Sequence, residues 1–510
     1  MGKIQEILIT QFNGGISEDK RNGWFGGGST AFTTNKYAIT KHFDAFTYPK
    51  KLVPWNKTVT PENYQTQYNI KNFCYAQGRF YGLGDAQSGT ASRVNIFQND
   101  GGLATPDSWS TSANGTGTTA NKNTDIFFPY KTYIFMYVNG AQIDRFDTAG
   151  GAYSSAYQSI TASFATQALP VWHKADDCAY FFADNLVHKL NNTSWSASVQ
   201  QVPSNMRIVA CCEHGNYLAI GCVTVDSVNP RSVVFLWDRD TSLATFSDQI
   251  DFGEGTLKHL ASLDGRLIGV VDFYTESALG LRTGKVYIKD GSGQTARIIN
   301  ELDVNAATTR VGSLANTRFV RDNKLYFPMS VPTVNSDDRF GIWVLDSTGR
   351  VTLSVIEPTV AATAIINAIF ATGYIWWIAF GTGGAITRTS YNTADFSSTN
   401  SSIYETLIFT GGDSAQQKKL LSITVMTEPL PLAGTTVTVK YRKDEETSWT
   451  TIYTQTSDAN AVKHTAVNIE SSGLALPQFR EIQFQVSIIT GATITGLKAK
   501  VELLDSDILT

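Results

Sequence analysis

The sequence predicts an all-β protein: a β-propeller of about seven blades followed by a small β-sandwich, with an extended N-terminal arm. Three observations carry this prediction. A turn leading into a short apolar strand recurs seven times between residues 73 and 381. After residue 411, six alternating strands crowd into fewer than 100 residues. Helical periodicity is almost absent throughout.

The seven copies are Gly78-RFYGLG, Lys131-TYIFMY, Asp177-CAYFFA, Gly215-NYLAIG, Gly265-RLIGVV, Asn323-KLYFPM and Gly373-YIWWIA, with anchors about 49 residues apart on average. Repeats of that period mark architectures whose single unit cannot bury its own apolar face. Units built from strands favour a propeller. A second strand follows each first one and often ends on Asp or Asn, as in AQIDRFD, VVFLWDRD, KVYIKDG and GIWVLDSTG. Such residues favour tight turns because their side chains bond the nearby backbone and tolerate left-handed φ. Asn139-Gly140 and Asp290-Gly291 are hairpin signals. The stretch from Asn99 to Asn123 is polar and has no core-forming pattern.

Residues 1–65 lie outside the repeat and read as an extended arm. It has a short strand, Ile4 to Phe12, glycine-rich turns, and apolar anchors at Phe12, Trp24, Phe25, Phe43, Phe46 and Trp55. Such an arm packs on a neighbouring domain or subunit, so Phe12, Trp24, Phe25, Phe43 and Phe46 are its interface candidates. Part of it is a candidate for the strand that ties the first blade to the last. The propeller is placed at 66–410. The polar break at Gly411-Gly412-Asp413 opens a sandwich at 411–510, whose strands include LLSITVMTEP, TTVTVKYRKD and REIQFQVSII.

Composition bounds the function. Charged residues are 17% and aromatics 12%, the reverse of a disordered chain. Net charge is −4 and no run of Lys or Arg exceeds two, so no specific nucleic-acid binding is expected. The five cysteines, Cys74, Cys178, Cys211, Cys212 and Cys222, have no metal spacing and read as buried core residues in a reducing compartment. The start, MGKIQEILITQF, lacks the apolar core of a signal peptide. Residues 357–388 carry no internal charge and are apolar enough to suggest a membrane span. Their glycines and their alignment with the other copies favour a buried blade instead.

No cluster points to chemistry, and no catalytic residue, metal ligand or cofactor is expected. The six histidines are scattered; His173 and His188 share one repeat unit but read as strand-face residues rather than a ligand pair. The doublets Asp176-Asp177, Asp337-Asp338 and Glu445-Glu446 fall at turn tips, where solvation keeps both members ionised. Asp238-Arg-Asp240 and Asp505-Ser-Asp507 do not continue into calcium loops. Gly-rich segments lack the Lys or helix that phosphate loops need. Tyr441, Trp449 and Tyr453 read as core, with sugar stacking as the alternative.

The segments ITQFNGGISEDKR, KHFDAFTYPKKLVPW, VTVKYRKDEETSWTTI and FREIQFQVSI, together with the propeller-then-sandwich layout, resemble virion proteins of tailed bacteriophages. The resemblance covers most of the length in style and layout and transfers no functional residues. It implies a non-enzymatic structural part of the tail (hub, nozzle or tip region), assembled in the host cytoplasm. Its partners would be copies of itself and other virion tail proteins, with no membrane span. Two alternatives remain: a receptor-binding tail protein recognising a host surface glycan, and a propeller glycosidase or lyase.

Overall fold

The computed structural model describes residues 4–17, 21–22, 31–59, 70–85, 94–99, 115–117, 126–138, 142–160, 168–225, 229–276, 282–305, 317–331, 339–355, 366–372, 375–380, 385–390, 396, 401–411, 415–430, 434–456 and 477–504. All regular structure among them is β. Seven sheets are four-stranded and antiparallel, and they follow one another along the chain. Their first strands are Ile70–Ala76, Phe127–Tyr130, Val171–His173, Met206–His214, Thr256–Leu263, Phe319–Arg321 and Ile366–Thr372. We number the sheets 1 to 7 in that order.

Each first strand turns back where the repeat anchors stand. Gly78, Lys131, Asp177, Gly215, Gly265 and Asn323 all have positive φ, between 51° and 80°. In three turns the preceding residue is left-handed too: Gln77, Asp264 and Asp322. Two consecutive positive φ values give the turn whose twist matches that of the flanking strands. The seventh anchor, Gly373, lies outside the described residues, as does the Asn139-Gly140 signal. The Asx turns are present as well. The side chains of Asp147, Asp238, Asp290 and Asp346 each accept a hydrogen bond from the backbone N–H two residues on, at 3.0–3.1 Å.

The apolar runs are continuous because both faces of each sheet are covered. In Cys178–Ala183 every residue is buried. Cys178, Tyr180 and Phe182 pack with Leu218, Ile220 and Trp237 of sheet 4, while Ala179, Phe181 and Ala183 pack with Phe135 and Tyr137 of sheet 2. The same exchange joins sheets 1 and 2, 4 and 5, 5 and 6, and 6 and 7. Trp377, Ala379 and Ile386 of sheet 7 then pack on Phe73 and Phe80 of sheet 1, so the succession returns to its start in a propeller-like ring. The uncharged stretch 357–388 contributes the paired strands Ile366–Thr372 and Ile375–Phe380, and no helix long and apolar enough to cross a membrane occurs among the described residues. All five cysteines are free and buried.

Sheet 7 draws its fourth strand from the arm. Thr58–Val59 pairs antiparallel with Ala385–Thr389, matching Val59 to Arg388 and Thr58 to Thr389. The rest of the arm enters two further sheets. Ile4–Ile9 pairs with Ala31–Thr33 on one side and with Ile494–Leu503 on the other, in a five-stranded sheet that also holds Lys418–Thr427 and Gln478–Phe479. Arg21–Asn22 and Ile39–Lys41 lie at the two ends of a seven-stranded sheet with Ser402–Glu405, Ile408–Phe409, Thr436–Lys443, Thr450–Thr456 and Ile482–Ile489. Burial alternates along Lys418–Thr427, as expected for sheets with one inward face. Four strands of the seven-stranded sheet precede residue 411, two from the arm and two from residues 402–409, so the change in composition there marks a loop rather than a sheet edge.

One apolar cluster runs from the arm (Ile7, Phe12, Phe43, Leu52) through sheets 5 and 6 (Val286, Trp343, Val351) into the terminal sheets (Ile423, Phe484, Leu497). The last strand of sheet 6, Val351–Val355, is buried along its whole length because the arm lies on it. Ile16 N–H donates to Val351 O at 2.9 Å, and Thr40 Oγ1 lies 2.7 Å from Thr352 Oγ1. Covering a sheet edge in this way removes a template for pairing with other chains.

Close approach between sheets fixes some side chains absolutely. A Cβ on Gly221, in sheet 4, would lie 2.4 Å from Leu257 Cδ2 and 2.6 Å from Ala210 O. We expect Gly221→Ala to destabilise the chain by about 1–3 kcal/mol, since overpacking must displace backbone as well as side chain. Urea unfolding followed by tryptophan fluorescence reads this directly; an unchanged midpoint would contradict it.

Candidate functional site

Of the interface candidates, Phe12 and Phe43 are fully buried within the chain. Phe12 meets the Tyr404 ring edge-on at 5.3 Å. Phe46 is partly buried against the same cluster, with the Arg350 guanidinium 5.7 Å from its ring centre. Phe12 and Phe43 join the arm to the chain's own sheets, while Phe46 packs on the same cluster and keeps part of its surface exposed. Trp24 and Phe25 lie outside the described residues.

The aromatics of the terminal sheets are also occupied. Tyr441 and Tyr453 pack against the core, and the Arg442 guanidinium covers the Trp449 ring at 4.6 Å. His173 and His188 stand on opposite faces of sheet 3: His173 pairs in register with Cys178, His188 with Phe181. They therefore cannot converge on one ion. No group of three or more His, Cys, Asp or Glu able to hold a metal occurs among the described residues. The calcium-like spacing at Asp238 and Asp240 serves turns; Asp240 Oδ1 accepts from both N–H and Oγ–H of Ser242, at 2.8 and 2.7 Å. Asp505, Asp507, Asp337 and Asp338 lie outside the described residues.

One turn-tip expectation requires correction. Asp177 is exposed, bonded to Lys131 Nζ at 2.9 Å and accepting from Trp172 Nε1 at 3.0 Å. Asp176, in contrast, turns inward between sheets 3 and 4. Its Oδ2 accepts from the Tyr180 hydroxyl at 2.5 Å and lies 3.4 Å from Lys189 Nζ. Its Oδ1 lies 3.4 Å from His173 Nδ1 and 3.5 Å from Arg239 Nη1. Burial opposes the charge on Asp176, but the Tyr180 hydroxyl and the cations prevail and hold its carboxyl below the ordinary range. Arg239 can only donate, at 3.1 Å, so His173 Nδ1 is the acceptor; burial and Arg239 both keep this ring neutral. The cluster is a structural node between two sheets. The doublet alone could not reveal that its two members face opposite ways.

Two cavities stand out among the described residues. The first, about 390 Å³, lies where arm residues 44–56 cross sheets 6 and 7. Its walls include Trp55, Tyr326 and Trp376, with Asp44, Arg321 and Asp322 as charged members. Trp376 is 2% exposed, sits 4.7 Å from Tyr326 between ring centres, and its indole N–H has no hydrogen-bond partner. Tyr48, half exposed, belongs to the same wall. Asp44 is partly spent, since its Oδ1 accepts from the N–H groups of Phe46 and Thr47.

The second cavity, about 340 Å³, is enclosed by the first strands of sheets 1, 2 and 7 and by the chain entering sheets 3 and 6. Phe73, Tyr75, Phe128, Phe319 and Phe370 make it aromatic, and Arg318 is its charged member. From sheet 6 the Arg318 guanidinium reaches across, donating through Nη1 to Leu260 O of sheet 5 and through Nη2 to Cys211 O of sheet 4. One side chain thus links three consecutive sheets at the centre of the ring. Nothing in the ANTRFV segment distinguishes this arginine; only register and closure place it there.

No protein-family model and no curated protein matches the chain. Solved structures similar to it include the computationally designed Ika8 protein, at 9% identity and a TM-score of 0.36, covering 66% of this chain and 99% of that one. BamB from Moraxella catarrhalis is 14% identical with a TM-score of 0.38, covering 66% and 93%. The extracellular domain of a one-component system from B. thetaiotaomicron is 13% identical with a TM-score of 0.41, covering 69% and 46%. Likeness at these scores carries no argument about function.

Proposed function

We propose that the chain is a non-enzymatic structural component of a bacteriophage tail: a seven-bladed propeller fused to a β-sandwich, which self-assembles and docks other virion proteins. The observation that supports this reading is the arm. It supplies the closing strand of sheet 7, strands of both terminal sheets, and part of the core that joins them to sheets 5 and 6. A chain interlocked in this way behaves as one rigid block, which suits a part held between neighbours under load. The sequence resemblance gives the setting.

The test is the mass of the purified full chain by sedimentation at micromolar concentration, followed by electron microscopy of whole particles. A ring-sized species and a matching ring in the tail are expected. A strict monomer that is absent from particles would overturn the reading.

The arm cavity favours a second reading, a receptor-binding tail protein that holds a host surface glycan. An unpartnered indole N–H, aromatic walls and nearby carboxylates are what a sugar ring needs for stacking and hydroxyl bonding. Glycan-array binding by the full chain, lost in Tyr48→Ala, would establish it. The 412–510 fragment is unsuited to that assay, because it lacks the strands that the arm and residues 402–409 supply.

A further inference from the structure

We propose that the central cavity of the ring is a binding site for a small organic carboxylate, held by Arg318 and enclosed by the aromatic side chains around it. The inference does not depend on the tail role. It starts from a charge that the fold leaves uncompensated. The two carbonyls that Arg318 reaches satisfy two of its five N–H donors but carry no net charge. The titratable groups that act on it most are the thiols of Cys212 and Cys211. Burial pushes both thiols up, Cys212 to about 12, so neither is ionised at neutral pH. The nearby His259 is kept neutral by its own burial and by this same guanidinium. Among the described residues, the guanidinium therefore has no anionic partner.

A partly buried charge without a counter-ion is costly, and an arginine cannot relieve the cost by losing its proton. An anion from outside the chain would supply the compensation. The cavity determines what kind. Its volume falls in the range that holds small ligands. Its polar members beside Arg318 are few: Asn72 and Thr317, which both already use side-chain hydrogen bonds within the protein, and the hydroxyl of Tyr75. Phe128, Phe319 and Phe370 favour an apolar, flat body. Three N–H groups of the guanidinium remain for a carboxylate, a match that is charge-assisted and directional. A heavily hydrated inorganic ion would gain the charge contact but forfeit the apolar wall.

The experiment is calorimetric titration of the full chain with sodium benzoate at constant ionic strength, with benzamide, sodium acetate and sodium phosphate as comparison probes. One saturable benzoate site is expected, with benzamide and acetate each at least ~10-fold weaker, because each lacks one of the two contacts. Arg318→Gln should lose benzoate by a similar factor. Ala368→Leu keeps the arginine but adds bulk at the cavity wall, and should lose benzoate too, which covers the case of an Arg318→Gln chain that does not fold. Absence of saturable benzoate binding by the wild-type chain would overturn the proposal. So would benzamide binding as tightly as benzoate, or equal binding by a folded variant of either kind. Phosphate binding in preference to benzoate would show a plain anion site and overturn the aromatic half of the argument.

Discussion

Phe12→Ala is expected to cost about 3–5 kcal/mol of stability, the range for emptying a fully buried phenylalanine site. The ring is 0% exposed and edge-on to Tyr404 in the cluster that joins the arm to sheets 5 and 6 and to both terminal sheets. The loss should appear in one cooperative transition, because the cavity lies where the two sheet systems share a core. Removing residues 1–59 should have a larger effect. It takes away the closing strand of sheet 7, the partner of Ile494–Leu503, and the strand paired to Ser402–Glu405. That deletion should yield no soluble folded protein. Urea unfolding of Phe12→Ala, followed by far-ultraviolet dichroism and tryptophan fluorescence, decides the point. If the arm were a peripheral docking element, the variant would unfold within about 0.5 kcal/mol of the parent, as surface substitutions do, and fail only in assembly.

The contrast between the arm and the ring shows which parts of this fold the sequence reveals. The ring is legible because each unit repeats a local device: a residue able to take positive φ, then a run apolar on both faces. Gly78, Gly215 and Gly265 mark such turns directly, and Lys131 and Asp177 could be placed only by spacing. The arm's contributions are strands of two to six residues, such as Thr58–Val59 and Ile39–Lys41, whose partners lie hundreds of residues away. Pairing of that kind leaves no periodic trace. Its apolar anchors were visible at Phe12 and Phe43, but exposure to a partner and burial in the chain's own core leave the same mark in sequence. The central cavity is harder still. Arg318 matters because it stands level with Cys211 and Leu260 once three sheets are side by side, a relation that exists only after closure.

Acid should unfold this protein well above the carboxylate range, through three histidines. Burial lowers His42 to about 4, His188 to about 4 and His259 to about 3, from an ordinary value of 6.5. Each is neutral when folded: His42 has Nε2 3.1 Å from the Asn56 carbonyl, His188 Nδ1 accepts from Ser198 N–H, and His259 packs 5.0 Å from Phe327 between ring centres. As pH falls below 6.5 the unfolded chain takes up these protons and the folded chain does not, so stability falls with pH. The loss continues until each folded value is passed. His42 and His188 each contribute roughly 3 kcal/mol across their windows and His259 about 5 kcal/mol, and the three together give a slope of about 4 kcal/mol per pH unit near pH 5. Asp176 and Asp177, held below the ordinary carboxylate range, add to the loss only later, below pH 3.8. Urea midpoints at pH 7.5, 6 and 5 should therefore fall steeply, and His259→Phe should flatten the slope by about a third. A midpoint that holds constant down to pH 5 would mean that the histidines reach solvent in the folded state. His42 lies in the arm, where its carbonyl accepts from Trp55 N–H and from Ser402 Oγ. Protonating it would loosen the segment that leads into the closing strand, so the ring and the terminal sheets should lose structure together.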